Sequence, residues 1–97
     1  MVKDILYLVD ILKNELFITW DDESTNKRLQ RRVSNAIQTM NYKIGSDIDY
    51  TVEGMAQNLF MNYCVYVYNG CANEFDDNYF NEIMQLRQLY EVLGHDE

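Results

Sequence analysis

Thr51-Val-Glu-Gly-Met-Ala-Gln-Asn-Leu-Phe-Met-Asn-Tyr-Cys-Val-Tyr-Val-Tyr-Asn69 can be read two ways. Its end, Tyr63 to Tyr68, is aromatic and β-branched, the make-up of a strand. Upstream, Val52, Met55, Ala56, Leu59, Phe60, Tyr63 and Val67 recur at three- and four-residue steps, which is one face of a helix. The unbroken period and the length of the segment select a helix from about Thr51 to Asn69. Met61, Val65, Tyr66 and Tyr68 leave little polar face near its end. A helix apolar on nearly all sides is a central one, covered by its neighbours or by other subunits.

Composition agrees with a helical reading. Proline is absent and glycine occurs four times, too few for a fold built of turns. Hydrophobic residues make up 47% of the 97, so the chain folds. That length predicts one domain over residues 1–97, with room for a core but not for a core and a deep cleft. No apolar run approaches the length of a membrane span, and no leader pattern is expected at residues 5–12, which Asp10 interrupts.

Outward from the opening stretch, three more helices are expected. The first spans about Val2 to Asn14, with Ile5, Leu8, Val9, Leu12 and Leu16 on one face. Phe17, Ile18 and Trp20 follow as an apolar loop packed over its end. The second runs from about Asp22 to Asn41, its start open between Trp20 and Ser24. Thr19, Asp21, Asp22 and Ser24 are its capping candidates. Leu29, Val33, Ala36, Ile37 and Met40 form its buried stripe. Gly45 suits a left-handed turn after it, and Asp49 or Thr51 suits the cap of the next helix. The fourth spans about Asn73 to Leu93, with Phe75, Tyr79, Ile83, Leu86, Tyr90 and Leu93 near a heptad repeat. Gly94 is expected to stop it, leaving His95, Asp96 and Glu97 as a tail. The expected fold is all-α, a small four-helix bundle.

The sequence holds little that suits catalysis. The single histidine, His95, lies three residues from the end, where fixed geometry is rare. Cys64 and Cys71 have no histidine near them and are read as reduced thiols of a cytosol-made protein. Asp47, Asp49, Thr51 and Glu53 echo the start of a calcium loop. Val52 stands where that loop needs glycine, and Asn58 where it needs glutamate. Asp21, Asp22 and Glu23 would attract a cation, and capping explains them equally well. No phosphate loop or zinc spacing occurs. The reading is a non-enzyme without cofactor or metal.

Charge is lopsided. Sixteen acidic and eight basic residues give −8, which repels nucleic acid at long range. Half of the basic residues, Lys27, Arg28, Arg31 and Arg32, lie within six positions of the second helix. They form a solvated face, a docking patch for an acidic partner or an adjacent copy, or, more weakly, a phosphate contact. The tyrosines are the stronger lead, since tyrosine and methionine are enriched in interface cores. Tyr66, Tyr68, Phe80, Met84 and Tyr90 are the candidate residues for a subunit or partner interface.

Leu12-Lys13-Asn14-Glu15-Leu16, the acidic turn Asp21-Asp22-Glu23 and the helix ending at Ile44-Gly45 set a pattern. It continues through Ala56, Leu59 and Tyr63 to Asn69, then Asn73-Glu74-Phe75, Asn78-Tyr79, Ile83, Leu86 and Tyr90. With these the chain resembles the phage head–tail connector proteins, the adaptor or head-completion proteins of DNA packaging. The resemblance covers most of the chain, and its last stretch is the most specific. It implies a small helical bundle with no catalytic residues. It further implies a structural role in the virion of a phage or prophage. Copies would form a ring homo-oligomer, commonly of twelve, under the portal protein. The ring would extend the DNA channel and give tail or stopper proteins a platform. DNA would pass without specific binding, helped by acidic walls. The protein would be made in the bacterial host cytoplasm and end at the head–tail junction. Some connectors reach the portal by a longer tail; here that contact would fall to the fourth helix. Charge and size leave a second reading open, a small acidic regulator or inhibitor of the antitoxin or anti-repressor type that binds a basic protein.

Overall fold

The computed structural model describes the backbone of residues 2–95 and the side chains of residues 4–92. Five helices follow in order: α1 (Val2–Glu15), α2 (Glu23–Ile44), α3 (Met55–Tyr68), α4 (Ala72–Asn78) and α5 (Phe80–His95). Among the described residues there is no strand. The helix reading of Tyr63 to Tyr68 therefore holds, and the chain is all-α. It is not a plain bundle of four, because the expected last helix is broken in two.

Helices α1, α2 and α3 pack on one another as a triangle. Helix α4 adds to α3, α5 adds to α2, and α4 and α5 meet at their junction. The Cα atoms span 43 × 28 × 18 Å. The short dimension holds about two helix diameters, so most helices keep a face toward solvent. One core joins Leu8, Val9 and Leu12 of α1, Leu29, Val33, Met40 and Ile44 of α2, and Leu59, Phe60 and Tyr63 of α3. Phe75, Ile83 and Leu86 extend it into α4 and α5.

The helix ends show how local sequence sets the boundaries. Asp22 caps α2: its carboxylate accepts from the Thr25 amide at 3.2 Å and the Thr25 hydroxyl at 2.9 Å. Gly45, at φ 86°, ends α2 in the left-handed region as expected, and its amide donates to the Asn41 carbonyl at 2.7 Å. Gly70, at φ 76°, does the same after α3, with Cys71 donating five residues back to Tyr66 at 2.8 Å and Gly70 to Val67 at 3.1 Å. Helix α1 ends in the same paired pattern. Ile18 donates to Lys13 at 2.9 Å and Phe17 to Asn14 at 3.3 Å. The residue in the left-handed position there is Phe17, at φ 58°. Ile18, just past the turn, and Leu12, in the last turn of α1, are both buried in the one core.

Several expectations change. Helix α3 begins at Met55, not Thr51, with Gly54 at its N-cap and no capping side chain. Asp49 instead accepts from the Thr51 amide and hydroxyl, closing a turn outside the helix. Val52 and Met55 therefore leave the buried stripe and stand exposed. Of the apolar loop after α1, only Ile18 is buried; Phe17 is 87% exposed and Trp20 is exposed too.

Tyr79 interrupts the last helix at φ −120° and ψ 23°. No glycine or proline causes the break. Phe75 is held by rings of α3, edge-on to Tyr63 at 5.0 Å and to Tyr66 at 5.6 Å, while α5 packs on α2. The two halves answer to different partners. Helix α5 then runs through Gly94 to His95, so the expected stop at Gly94 is not where it ends. The side chains of Leu93 and His95, and all of Asp96 and Glu97, lie outside the described residues.

Candidate interaction surfaces

Asn41, on the last turn of α2, organises the loop that follows. Its Oδ1 accepts from the Tyr50 hydroxyl at 2.8 Å and from the Ile48 amide at 3.2 Å. Its Nδ2 donates to Asp47 at 3.1 Å. Tyr50 is thereby drawn inward, stacked on Phe60 at 4.4 Å between ring centroids, and its carbonyl accepts from buried Gln57 at 3.0 Å. Burial, then the proximity of Tyr90 and Asp47, pushes the Tyr50 phenol well above the usual tyrosine range.

Pulled back in this way, the loop forms one wall of a groove of about 500 Å³. Ile5 and Leu8 of α1, Ile37 of α2 and Ile48 of the loop supply its apolar lining. Asp4, Asp47 and Asp49 stand exposed around it. Hydrogen bonds from Thr51 hold the Asp49 carboxyl below the usual carboxylate range. Nothing in the sequence alone marked this groove, because it joins three segments that only the fold brings together.

The basic patch is real as a surface. Lys27, Arg28 and Arg31 are exposed and Arg32 is half-buried, opposite the buried stripe of α2. Lys27 pairs with Glu23 at 3.2 Å, one turn earlier. Among the described residues no ion pair involves Arg28, Arg31 or Arg32. Asp21, of the acidic turn before α2, accepts from Asn26 at 2.6 Å and pairs with Lys13 at 3.5 Å, which together hold its carboxyl low. Among the described residues no cluster is arranged to hold a metal ion.

The five expected interface residues are scattered. Tyr68, at the end of α3, and Phe80, at the start of α5, are exposed. Met84 lies half-buried one turn beyond Phe80. Tyr66 is half-buried in the ring cluster, edge-on to Phe75 and Tyr79 at 5.6 Å each, and its hydroxyl accepts from Asn78 at 3.0 Å. Tyr90 packs against the core near Tyr50. Helix α3 itself is largely enclosed: Met61, Tyr63 and Cys64 are buried by the protomer's own helices. The exposed apolar surface extends to places the periodicity had not marked: Leu6 and Tyr7 on α1, Phe17 and Trp20 in the loop, and Tyr42 at 85% exposure on α2.

Lys43, at the end of α2, ties the late helices down. Its ammonium bonds both oxygens of Asp76, at 2.7 and 2.9 Å, and its carbonyl accepts from Arg87 at 2.8 Å. The cysteines are free; Cys64 is buried, which pushes its thiol up to about 12, and Cys71 is half-buried. No helix of the described residues is long and apolar enough to cross a membrane. No protein-family model, no curated protein and no solved structure matches this chain.

Proposed function

We propose that this chain is a structural head–tail connector of a tailed phage or prophage. Copies assemble as a ring beneath the portal protein, extend the DNA channel and hold tail or stopper proteins. The observation that carries the reading is the apolar surface left on one protomer. Eleven large hydrophobic side chains are exposed among the described residues, from Leu6 on α1 to Val92 on α5. Phe17 is one of them, at 87% exposure in a left-handed backbone position that normally selects glycine. Assembly covers such surface at little cost to the solubility that a charge of −8 provides. The same charge suits a channel wall that DNA slides past without binding.

The residues behind the resemblance support the fold more than the role. Phe75, Ile83 and Leu86 are buried, so their spacing reflects packing. Phe80, Met84 and Tyr68 are the residues of α5 and α3 offered for contact with neighbouring copies or with the portal.

Co-expression with the portal protein of the phage or prophage that carries this gene tests the reading. Native mass spectrometry is expected to show a complex carrying several copies of this chain per portal ring. Phe80→Asp is expected to weaken it while circular dichroism stays unchanged. A chain that leaves the portal bare, and is instead recovered with a toxin or a transcription factor, overturns the proposal.

A further inference from the structure

We propose that the basic patch of α2 on one copy docks in the acidic-rimmed groove of another, guanidinium groups on the carboxylates and side-chain stems on the apolar lining. This rests on the reading above that the chain assembles with its own copies, and names the contact through which it does so.

Apart from Lys27, which pairs with Glu23, each surface lacks an ion-pair partner among the described residues. Arg28, Arg31 and Arg32 make no ion pair among the described residues, and neither do Asp4, Asp47 and Asp49. The α2 residues that line the groove are Ser34, Ile37, Gln38 and Asn41, and among the described residues no ion pair joins the patch to the groove's carboxylates.

The chemistry fits arginine in particular. The groove is lined by Ile5, Leu8, Ile37 and Ile48, with carboxylates at its edge. An arginine has an apolar stem and a planar, always charged head that binds carboxylates through two bonds at once. Its stem covers aliphatic lining while its head stays at the rim. A lysine offers a stem and a point charge but not the paired bonds, and a purely apolar side chain leaves the carboxylates unmet. The rim oxygens are also set. Asp47 is held by Asn41 at 3.1 Å and Asp49 by Thr51, so little side-chain freedom is lost on docking.

Self-docking is favoured over a foreign basic partner because both halves occur on this one chain. Four of its eight basic residues stand within six positions, exposed for the most part, in a chain of charge −8. The surfaces are unlike, so each copy gives one and receives one. A contact of that kind propagates from copy to copy and closes when its rotation allows. General repulsion between acidic copies is screened beyond about 8 Å at physiological salt, whereas pairs in contact are not.

The test is a charge swap read by sedimentation velocity on the full chain near physiological salt. Arg28→Glu with Arg31→Glu is expected to weaken self-association at least about tenfold. Asp4→Lys with Asp49→Lys is expected to do the same, and Asp4→Lys alone to do so in part without touching the Asp49 turn. The variant carrying all four substitutions is expected to recover association to within about threefold of wild type. Circular dichroism confirms folding of each. Self-association that ignores all of these substitutions overturns the docking pair and leaves the connector reading to the portal experiment. A wild-type chain that stays monomeric up to about 1 mM, or whose groove takes only an added arginine-rich peptide, also overturns it.

Discussion

Asn41 and Tyr50 meet through a 2.8 Å hydrogen bond in which the buried phenol donates to the amide oxygen. Nine residues separate them, yet this contact fixes the loop between α2 and α3. The same oxygen accepts from the Ile48 amide. One side chain thus replaces the backbone pairing that an irregular segment lacks.

The two ends of this bond predict unequal losses. Tyr50→Phe removes one hydrogen bond and is expected to cost about 1 kcal/mol. Asn41→Ala strands both the Tyr50 hydroxyl and the Ile48 amide and is expected to cost about 2–3 kcal/mol. Denaturant unfolding gives the costs. Hydrogen exchange at the Ile48 amide should accelerate in Asn41→Ala alone. Equal costs would show that the loop is held by packing of Tyr50 on Phe60 instead.

Phe17 predicts a gain. It occupies a left-handed position at φ 58°, where a Cβ is unfavourable, and its ring is almost wholly exposed. Phe17→Gly is expected to stabilise the protomer by about 0.5–1 kcal/mol. The thermal midpoint should rise. If Phe17 also serves a contact between copies, the same variant associates less well. A fall in the midpoint of the monomer would refute the account of the helix end.

Alkaline pH is expected to unfold the chain through groups that burial keeps protonated. The Cys64 thiol is pushed up to about 12 from an ordinary value of 9.0, and the Tyr50 phenol is raised also. The folded state holds these protons more tightly than the unfolded chain. Their contribution is therefore complete below pH 9 and is lost as pH rises toward 12. Cys64→Val should flatten the decline across that window. On the acid side the depressed carboxyls of Asp21, Asp22 and Asp49 act in the opposite sense. Their contribution is present above about pH 4 and fades as pH falls below it. A thiol reagent should label Cys71 in the folded protein and both cysteines in denaturant. Rapid labelling of Cys64 under native conditions would contradict its burial.

Phe75 predicts the largest loss. Its ring is fully buried, edge-on to Tyr63 and Tyr66 and stacked with Tyr79 at 4.8 Å. Phe75→Ala is expected to cost about 3–5 kcal/mol. Asp76→Asn, next to it, should cost about 1 kcal/mol or less, because the Lys43 pair is partly in solvent. Guanidinium unfolding separates the two. Comparable costs would shift the anchor of α4 from the ring to the ion pair.

Periodicity by itself determined that the chain is helical, placed α1 and α2 closely, and named the core residues Leu8, Leu12, Leu29, Val33, Leu59, Phe75, Ile83 and Leu86. These follow from local rules: a 3.6-residue repeat, an Asp22 cap and a glycine at the end of α2. What only the tertiary structure decided is where local preference met a competing partner. Tyr79 breaks a continuous heptad pattern because Phe75, on α4, packs against rings of α3, while α5, with Ile83 and Leu86, packs on α2. Asp49 turns to Thr51 and Val52 comes out, so α3 starts late. Tyr66 and Tyr90, read as interface candidates, are drawn partly inward, beside Phe75 and near Tyr50. The groove and the spread of exposed apolar residues were invisible for the same reason. They depend on which segments lie side by side in a body 18 Å thick, and distance through space is not written in spacing along the chain.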